Sequence, residues 1–318
     1  MIYLAYGLLA VLVVLFSIKL SQYVDALDKK TNLSGAFIGG VMLAAVTSLP
    51  ELFTSLTAVL ALDQPQLVQG DVLGSNVFNL CIIAVVILIA AKGYRDSQVS
   101  RSHKQTLLYG LIMYALVFLA IIKPITLDLG IINVNLMTIL ILLVYAVNVH
   151  SMKHDDSAEN EEPCDLDLSV SQITVRFLLF SVALVLVSIL LTQVTNIIAE
   201  DLNMGATVAG AIFLGVATSL PELSASLSLM RLGNFNASFG NVVGSNLFNF
   251  IIFCFADIIY TKGSIYLNDG QVMNLIGFGA LSSVLALGFL YGKKLVWVLR
   301  ILSVLILGCY VFSIVCSM

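Results

Sequence analysis

Long apolar runs alternate along this chain with short polar gaps, and the charged residues collect in the gaps. A helix needs about 17–25 residues to cross the hydrocarbon layer of a bilayer. Runs of that order fall near residues 2–23, 33–62, 69–91, 105–122, 129–149, 171–192, 204–230, 236–260, 271–291 and 294–316. Stretches such as Leu8 to Phe16 and Leu136 to Val144 are almost continuously apolar, without the alternation that a membrane β-strand requires. The pattern predicts an all-α membrane protein with ten transmembrane helices.

Composition excludes the soluble alternatives. The 318 residues are 59% hydrophobic and 11% charged, against roughly 45–50% apolar in a soluble domain. The net charge of −4 says little about partners, because the largest group of acids sits in one loop. The lipid bilayer is the expected surroundings; neither a nucleic acid partner nor a cofactor is expected. Cysteines at 81, 164, 254, 309 and 316 form no CxxC pair, so neither a disulfide framework nor a zinc site is indicated. Met1 to Tyr6 carries no Lys or Arg, and the first run reads as a retained span rather than a cleaved signal.

The basic residues set an orientation. With the N-terminus outside, the internal loops hold Lys29, Lys30, Lys92, Arg95, Arg101, Lys104, Lys153, Arg231, Lys293 and Lys294, and the external loops only Lys123 and Lys262. Such a bias predicts both termini extracellular. Between spans five and six, His150 to Asp167 is rich in Asp and Glu and cannot build a core. Residues 151–170 are therefore expected to be a cytoplasmic linker joining halves 1–150 and 171–318.

The halves are duplicates. Gly39 to Thr57, GGVMLAAVTSLPELFTSLT, aligns without gaps on Gly210 to Ser228, GAIFLGVATSLPELSASLS. Gly70 to Asn79, GDVLGSNVFN, matches Gly240 to Asn249, GNVVGSNLFN. The motif blocks thus span 39–80 and 210–250. Five spans per copy is an odd number, so the second copy enters the membrane from the opposite side, giving two inverted-topology five-helix repeats.

Glu51 and Glu222 lie deep in the second and seventh spans. A carboxylate at that depth costs about 2.5–3.5 kcal/mol on insertion scales, unless it faces a cavity or a cation. No Lys or Arg stands near either in sequence, which points to a mobile ion as the counter-charge; two protonated glutamates bonded as helix glue are the bland alternative. Residues four apart share a helix face, so Thr47, Glu51 and Ser55 form one oxygen ladder and Thr218, Glu222 and Ser226 its twin. Pro50 and Pro221 lack an N–H, which frees the carbonyls of Val46 and Ala217 and predicts a kink at each proline. Asp71, Ser75 and Asn79, with Asn241, Ser245 and Asn249, add oxygens at the same spacing. Gly70, Gly74, Gly240 and Gly244 are read as close-packing positions. An all-oxygen set with two charges suits Ca2+, with Na+ as a competitor of similar size, and lacks the His and Cys that would suit zinc, copper or iron. Mg2+ fits less well, because it keeps its water shell.

At these residues the chain resembles the Ca2+:cation antiporter superfamily, most closely its prokaryotic Na+/Ca2+ exchangers; the TSLPE and GSNxFN pairs look like that family's two α-repeats. The resemblance implies that Glu51 and Glu222 are shared carboxylates. It further implies Thr47, Thr218, Ser75, Ser245, Asn79 and Asn249 as polar ligands, the carbonyls of Ala44 and Gly215 as backbone ligands, and a first and sixth span that slide to switch access. It also implies a prokaryotic plasma membrane. The chain departs from the family at Val46 and Ala217, where Gly is common, and at Asn79 and Asn249, where some members carry Asp. Asp71, whose counterpart is Asn241, is read as part of the access path.

The reading that follows is Na+/Ca2+ antiport through one midplane site that faces each side in turn, and not an enzyme. H+/Ca2+ exchange is the runner-up, because a glutamate in a low dielectric holds protons tightly. A cation channel more often gathers its filter from several subunits, and no His–Ser or GxGD arrangement singles out an intramembrane hydrolase. His150 and His154 flank the acidic linker, where a solvated loop is favoured over a regulatory metal site. His103 is expected at the surface, and Asp257 is expected to snorkel to the interface.

Overall fold

A computed structural model describes residues 2–31, 33–128, 130, 133–153, 166–201 and 215–317. Its helices are α1 (Ile2–Lys30), α2 (Gly35–Thr47), α3 (Leu49–Leu60), α4 (Pro65–Ile89), α5 (Ala91–Asp96), α6 (Ser102–Ile122), α7 (Leu136–Lys153), α8 (Val170–Asp201), α9 (Gly215–Thr218), α10 (Leu220–Arg231), α11 (Phe235–Ile259), α12 (Gly270–Tyr291) and α13 (Val296–Ser317). One hairpin, β1 (Thr126–Asp128) with β2 (Asn133–Asn135), precedes α7, pairing Thr126 with Asn135 and Asp128 with Asn133. Among the described residues, seven helices are long and apolar enough to cross a membrane: α1, α4, α6, α8, α11, α12 and α13. The pair α2 and α3, bent by 40°, qualifies as an eighth, and α7 is shorter. Residues 202–214, which include the start of the expected seventh span and of the second motif block, lie outside the described residues, as do His154 and most of the linker.

The chain enters its fifth helix later than the hydropathy suggests. Asn133 and Asn135 belong to β2, and the helix begins only at Leu136. Asp128 and Gly130 provide the physical reason. The Asp128 carboxylate accepts from the Gly130 N–H at 2.8 Å, and Gly130 sits at φ 84, a turn conformation that favours glycine over other residues.

Two layers of helix can be told apart by burial. The most apolar window of α11 is 78% buried and that of α4 72%, against 11% for α1. The motif-bearing helices thus fill the centre, and α1 presents residues such as Leu4, Leu8 and Leu15 outward. Helix α1 packs along α8 and α10, with Phe180 edge-on to both Phe16 and Tyr23 at 5.7 Å. The end of α1 is also tied to the chain that enters α8. Lys30 Nζ donates to the carbonyls of Leu166 and Leu168 at 2.6 and 2.7 Å.

Two polar residues expected near water are buried in this scaffold. His103 is fully buried, its Nε2 within 3.1 Å of the Asn236 carbonyl and 2.9 Å of Asn236 Oδ1. Since both are oxygens, and Oδ1 also accepts from the Ser100 N–H, Nε2 carries the proton. Asp257 does not snorkel. It is 6% exposed, and its Oδ2 accepts from the Asn135 N–H at 2.8 Å and from Thr138 Oγ1 at 2.7 Å, anchoring the hairpin and α7 to α11.

Candidate ion-binding site

The site begins with a break in each motif. Ser48, at φ −90 and ψ 4, separates α2 from α3, and Ser219, at φ −88 and ψ 8, separates α9 from α10. Each proline lies in the first turn of the new helix, where its missing N–H costs nothing. The bend thus falls two residues before Pro50, at Ser48, rather than at the proline itself. Upstream, Ile38–Leu43 is wound as a π-helix, a widened turn that leaves the local carbonyls less regularly paired.

The broken helices bring Glu51 and Glu222 into the first turns of α3 and α10, both fully buried. The two copies then reach across to one another. Ser48 Oγ donates to Glu222 Oε1 at 3.1 Å, and Ser219 Oγ donates to Glu51 Oε1 at 3.3 Å. Each serine therefore serves the acid of the other half. Among the described residues, the second oxygen of each acid, Glu51 Oε2 and Glu222 Oε2, has no hydrogen-bond partner. Among the described residues neither acid forms an ion pair with Lys or Arg. A buried anionic oxygen without a donor is costly, and the chemistry it fits is a cation.

Other expected oxygens converge unevenly. Ser245 Oγ lies 3.4 Å from Glu222 Oε1 and 3.5 Å from the Ala44 carbonyl. Thr47 Oγ1 lies 3.3 Å from the Ala44 carbonyl, 3.3 Å from Asn241 Oδ1 and 3.4 Å from Ser245 Oγ. Thr47 has a single proton for these neighbours, so this corner holds more oxygens than donors can satisfy. Ser75 and Asn79 are buried on α4, and among the described residues Ser75 Oγ and both polar atoms of Asn79 have no partner. Asn249 spends its amide nitrogen on Asn76 Oδ1 at 3.0 Å, and its Oδ1 has no partner among the described residues. Thr218 is buried at the end of α9, and Gly215 begins that helix.

The second-layer pairs repeat with one change. Ser55 Oγ donates to Asp71 Oδ2 at 3.0 Å, and at the equivalent place Asn241 Nδ2 donates to Ser226 Oγ at 3.0 Å. Asp71, expected along an access path, is thus held by the ladder serine beside Glu51. Ladder spacing overlooked four residues: Ser48 and Ser219, three positions before the acids, and Asn76 and Asn246, whose main-chain and side-chain bonds join α4 to α11. The signal for all four was present, since each recurs in both copies of the motif.

Comparison with known proteins decides the family. The model of the sodium/calcium exchanger protein family matches residues 1–151 and 172–318. The chain belongs to the sodium/calcium exchanger family. It is thus a membrane ion antiporter by family, and the gap in the match coincides with the acidic segment. The chain is 26% identical over 261 residues to the inner membrane protein YrbG of Escherichia coli strain K12, covering 75% of each chain. It is 28% identical over 230 residues to the putative antiporter CaxA of Alkalimonas amylolytica, covering 71% of this chain and 70% of that one. Its fold is similar to that of the sodium-calcium exchanger NCX_Mj, with a TM-score of 0.74 at 23% identity over 99% of both chains.

Proposed function

We propose that this exchanger-family protein carries Ca2+ against Na+, through ten spans arranged as two inverted repeats with both termini outside and the acidic linker in the cytoplasm. The observation that carries the reading is the crossed pair, in which two buried acids are each held through one oxygen by the opposite half and leave the other oxygen without a donor among the described residues. A divalent cation neutralises both acids at once, whereas Na+ must do so with more than one ion, and that difference is the coupling. The proposed ligands are Glu51, Glu222, Thr47, Thr218, Ser75, Ser245, Asn79 and Asn249, with the carbonyls of Ala44 and Gly215. Ser48 and Ser219 orient the acids.

Both carboxylates are sealed from water in this conformation. Alternating access needs such an occluded state, because a site open to both sides at once would leak. Movement of α1 and α8, which pack together on the outer layer, is the proposed gate. An empty doubly charged site is costly to carry through the bilayer, which suppresses slippage.

The test is Ca2+ uptake into Na+-loaded proteoliposomes. Glu51→Gln and Glu222→Gln are each expected to abolish uptake, and full activity in either removes the proposed ligand pair. Dissipating the Na+ gradient is expected to stop transport. Uptake sustained by a pH gradient alone reassigns the protein to H+ exchange.

A further inference from the structure

We propose that a basic pocket between α5 and the turn joining α12 to α13 binds the phosphate headgroup of an anionic phospholipid. Four long helices end or begin here, α4 at Ile89, α6 at Ser102, α12 at Tyr291 and α13 at Val296, which places the pocket where spans leave the hydrocarbon. The cavity is about 630 Å3 and is lined by Arg95, Tyr291, Lys293, Lys294 and Leu295 among others. Lys104 stands at its edge, Nζ 4.8 Å from the centre of the Tyr291 ring.

The charges here are not balanced from within. Arg95 is paired with its neighbour Asp96, Nε to Oδ1 at 2.7 Å. No other carboxylate pairs with this cluster among the described residues. Lys293 donates to the Ser97 carbonyl, Lys104 rests on a ring, and Lys294 is exposed. Asp96 also acts on Lys293, so Arg95, Lys104, Lys293 and Lys294 share one carboxylate, an excess of positive charge that matches a phosphate. The rim decides between a free anion and a lipid. Tyr291 is 68% and Trp297 63% exposed, with Leu295 exposed beside them. Tyr and Trp prefer the headgroup level, one end apolar and the other wet. A soluble phosphate would use the cations and leave this rim bare, whereas a phospholipid uses both.

Thermal unfolding of the delipidated full-length protein in detergent tests this. Phosphatidylglycerol added to the micelles is expected to raise the unfolding midpoint by several degrees, as a ligand of the folded state must. Phosphatidylcholine and inorganic phosphate at equal concentration are expected to leave it unchanged. The double variant Lys104→Ala/Lys294→Ala should lose the shift, and Lys104→Arg/Lys294→Arg should keep it. If the double variant fails to fold, Lys294→Ala alone, at an exposed position, should reduce the shift. An undiminished shift in the alanine variants, or an equal one with phosphatidylcholine, overturns the proposal. An equal shift with inorganic phosphate assigns the pocket to a soluble anion and overturns it as well. None of these readings involves transport, so they leave the exchange proposal untouched.

Discussion

The two copies of the motif share the words TSLPEL and GSNxFN, yet they differ in one buried pair, with Ser55 donating to Asp71 in the first and Asn241 donating to Ser226 in the second. In one quadrant α11 lies against the π-helical stretch of α2 with no room between the backbones. A Cβ added at Gly244 would fall 2.0 Å from the Gly40 carbonyl oxygen, and one at Gly39 would fall 2.4 Å from that of Ala237. The residues of the second copy equivalent to Gly39 and Gly40 lie outside the described residues. What differs between the copies is charge: the first carries a carboxylate at Asp71 where the second carries an amide at Asn241.

The contrast can be broken most severely at the glycines. Gly244→Ala forces backbone apart from backbone and is expected to cost about 3 kcal/mol or more, seen as lost expression or a large drop in the thermal midpoint. Gly74→Ala, at the matching position of the first copy, tests whether that copy is packed as closely, and an equal loss shows that it is. The crossed serines should have a smaller effect. Ser48→Ala and Ser219→Ala each remove one donor from a buried acid, a loss of roughly 1–3 kcal/mol. The expected readout is a Ca2+ affinity weakened about five- to a hundredfold, with the fold intact by circular dichroism. No change in affinity would remove the serines from the site.

Asp71→Asn makes the first copy match the second and keeps an oxygen for the Ser55 hydroxyl. It is expected to slow Na+-dependent Ca2+ uptake a few-fold and not to abolish it; complete loss would promote Asp71 to a direct ligand. The smallest effect is expected at the turns between α3 and α4 and between α10 and α11. Asp63, at φ 56, occupies the place that Gly233, at φ 80, holds in the second copy. The Tyr260 hydroxyl and Lys262 hold its carboxyl below the ordinary value of 3.8. That contact contributes above this value and is lost as pH falls through the depressed one. Asp63→Asn should therefore lower thermal stability slightly at pH 7, leave it unchanged below the depressed value, and so flatten the acid limb of the stability curve.

The helical class and the acids at the heart of the site were legible in the chain, because run length and exact repetition are properties of sequence alone. What could not be read were contacts made by distant partners. His103 looks like surface until Asn236 is brought beside it, and Asp257 looks like a snorkelling end residue until β2 supplies an N–H. The π-helix, too, lies against α11, far away in the chain. Ser48 and Ser219 escaped for a different reason. Equal spacing on a helix finds neighbours on the same helix, and their partners are on the other one.

The exchange of serines has a consequence for how such a chain comes to exist. Whatever alters Ser48 is felt at Glu222, and whatever alters Ser219 is felt at Glu51, so neither copy is free to drift without its twin. A pair of identical ancestors, each carrying one copy of the motif, would already own both handshakes. Joining them into a single polypeptide would add a tether and invent nothing at the centre.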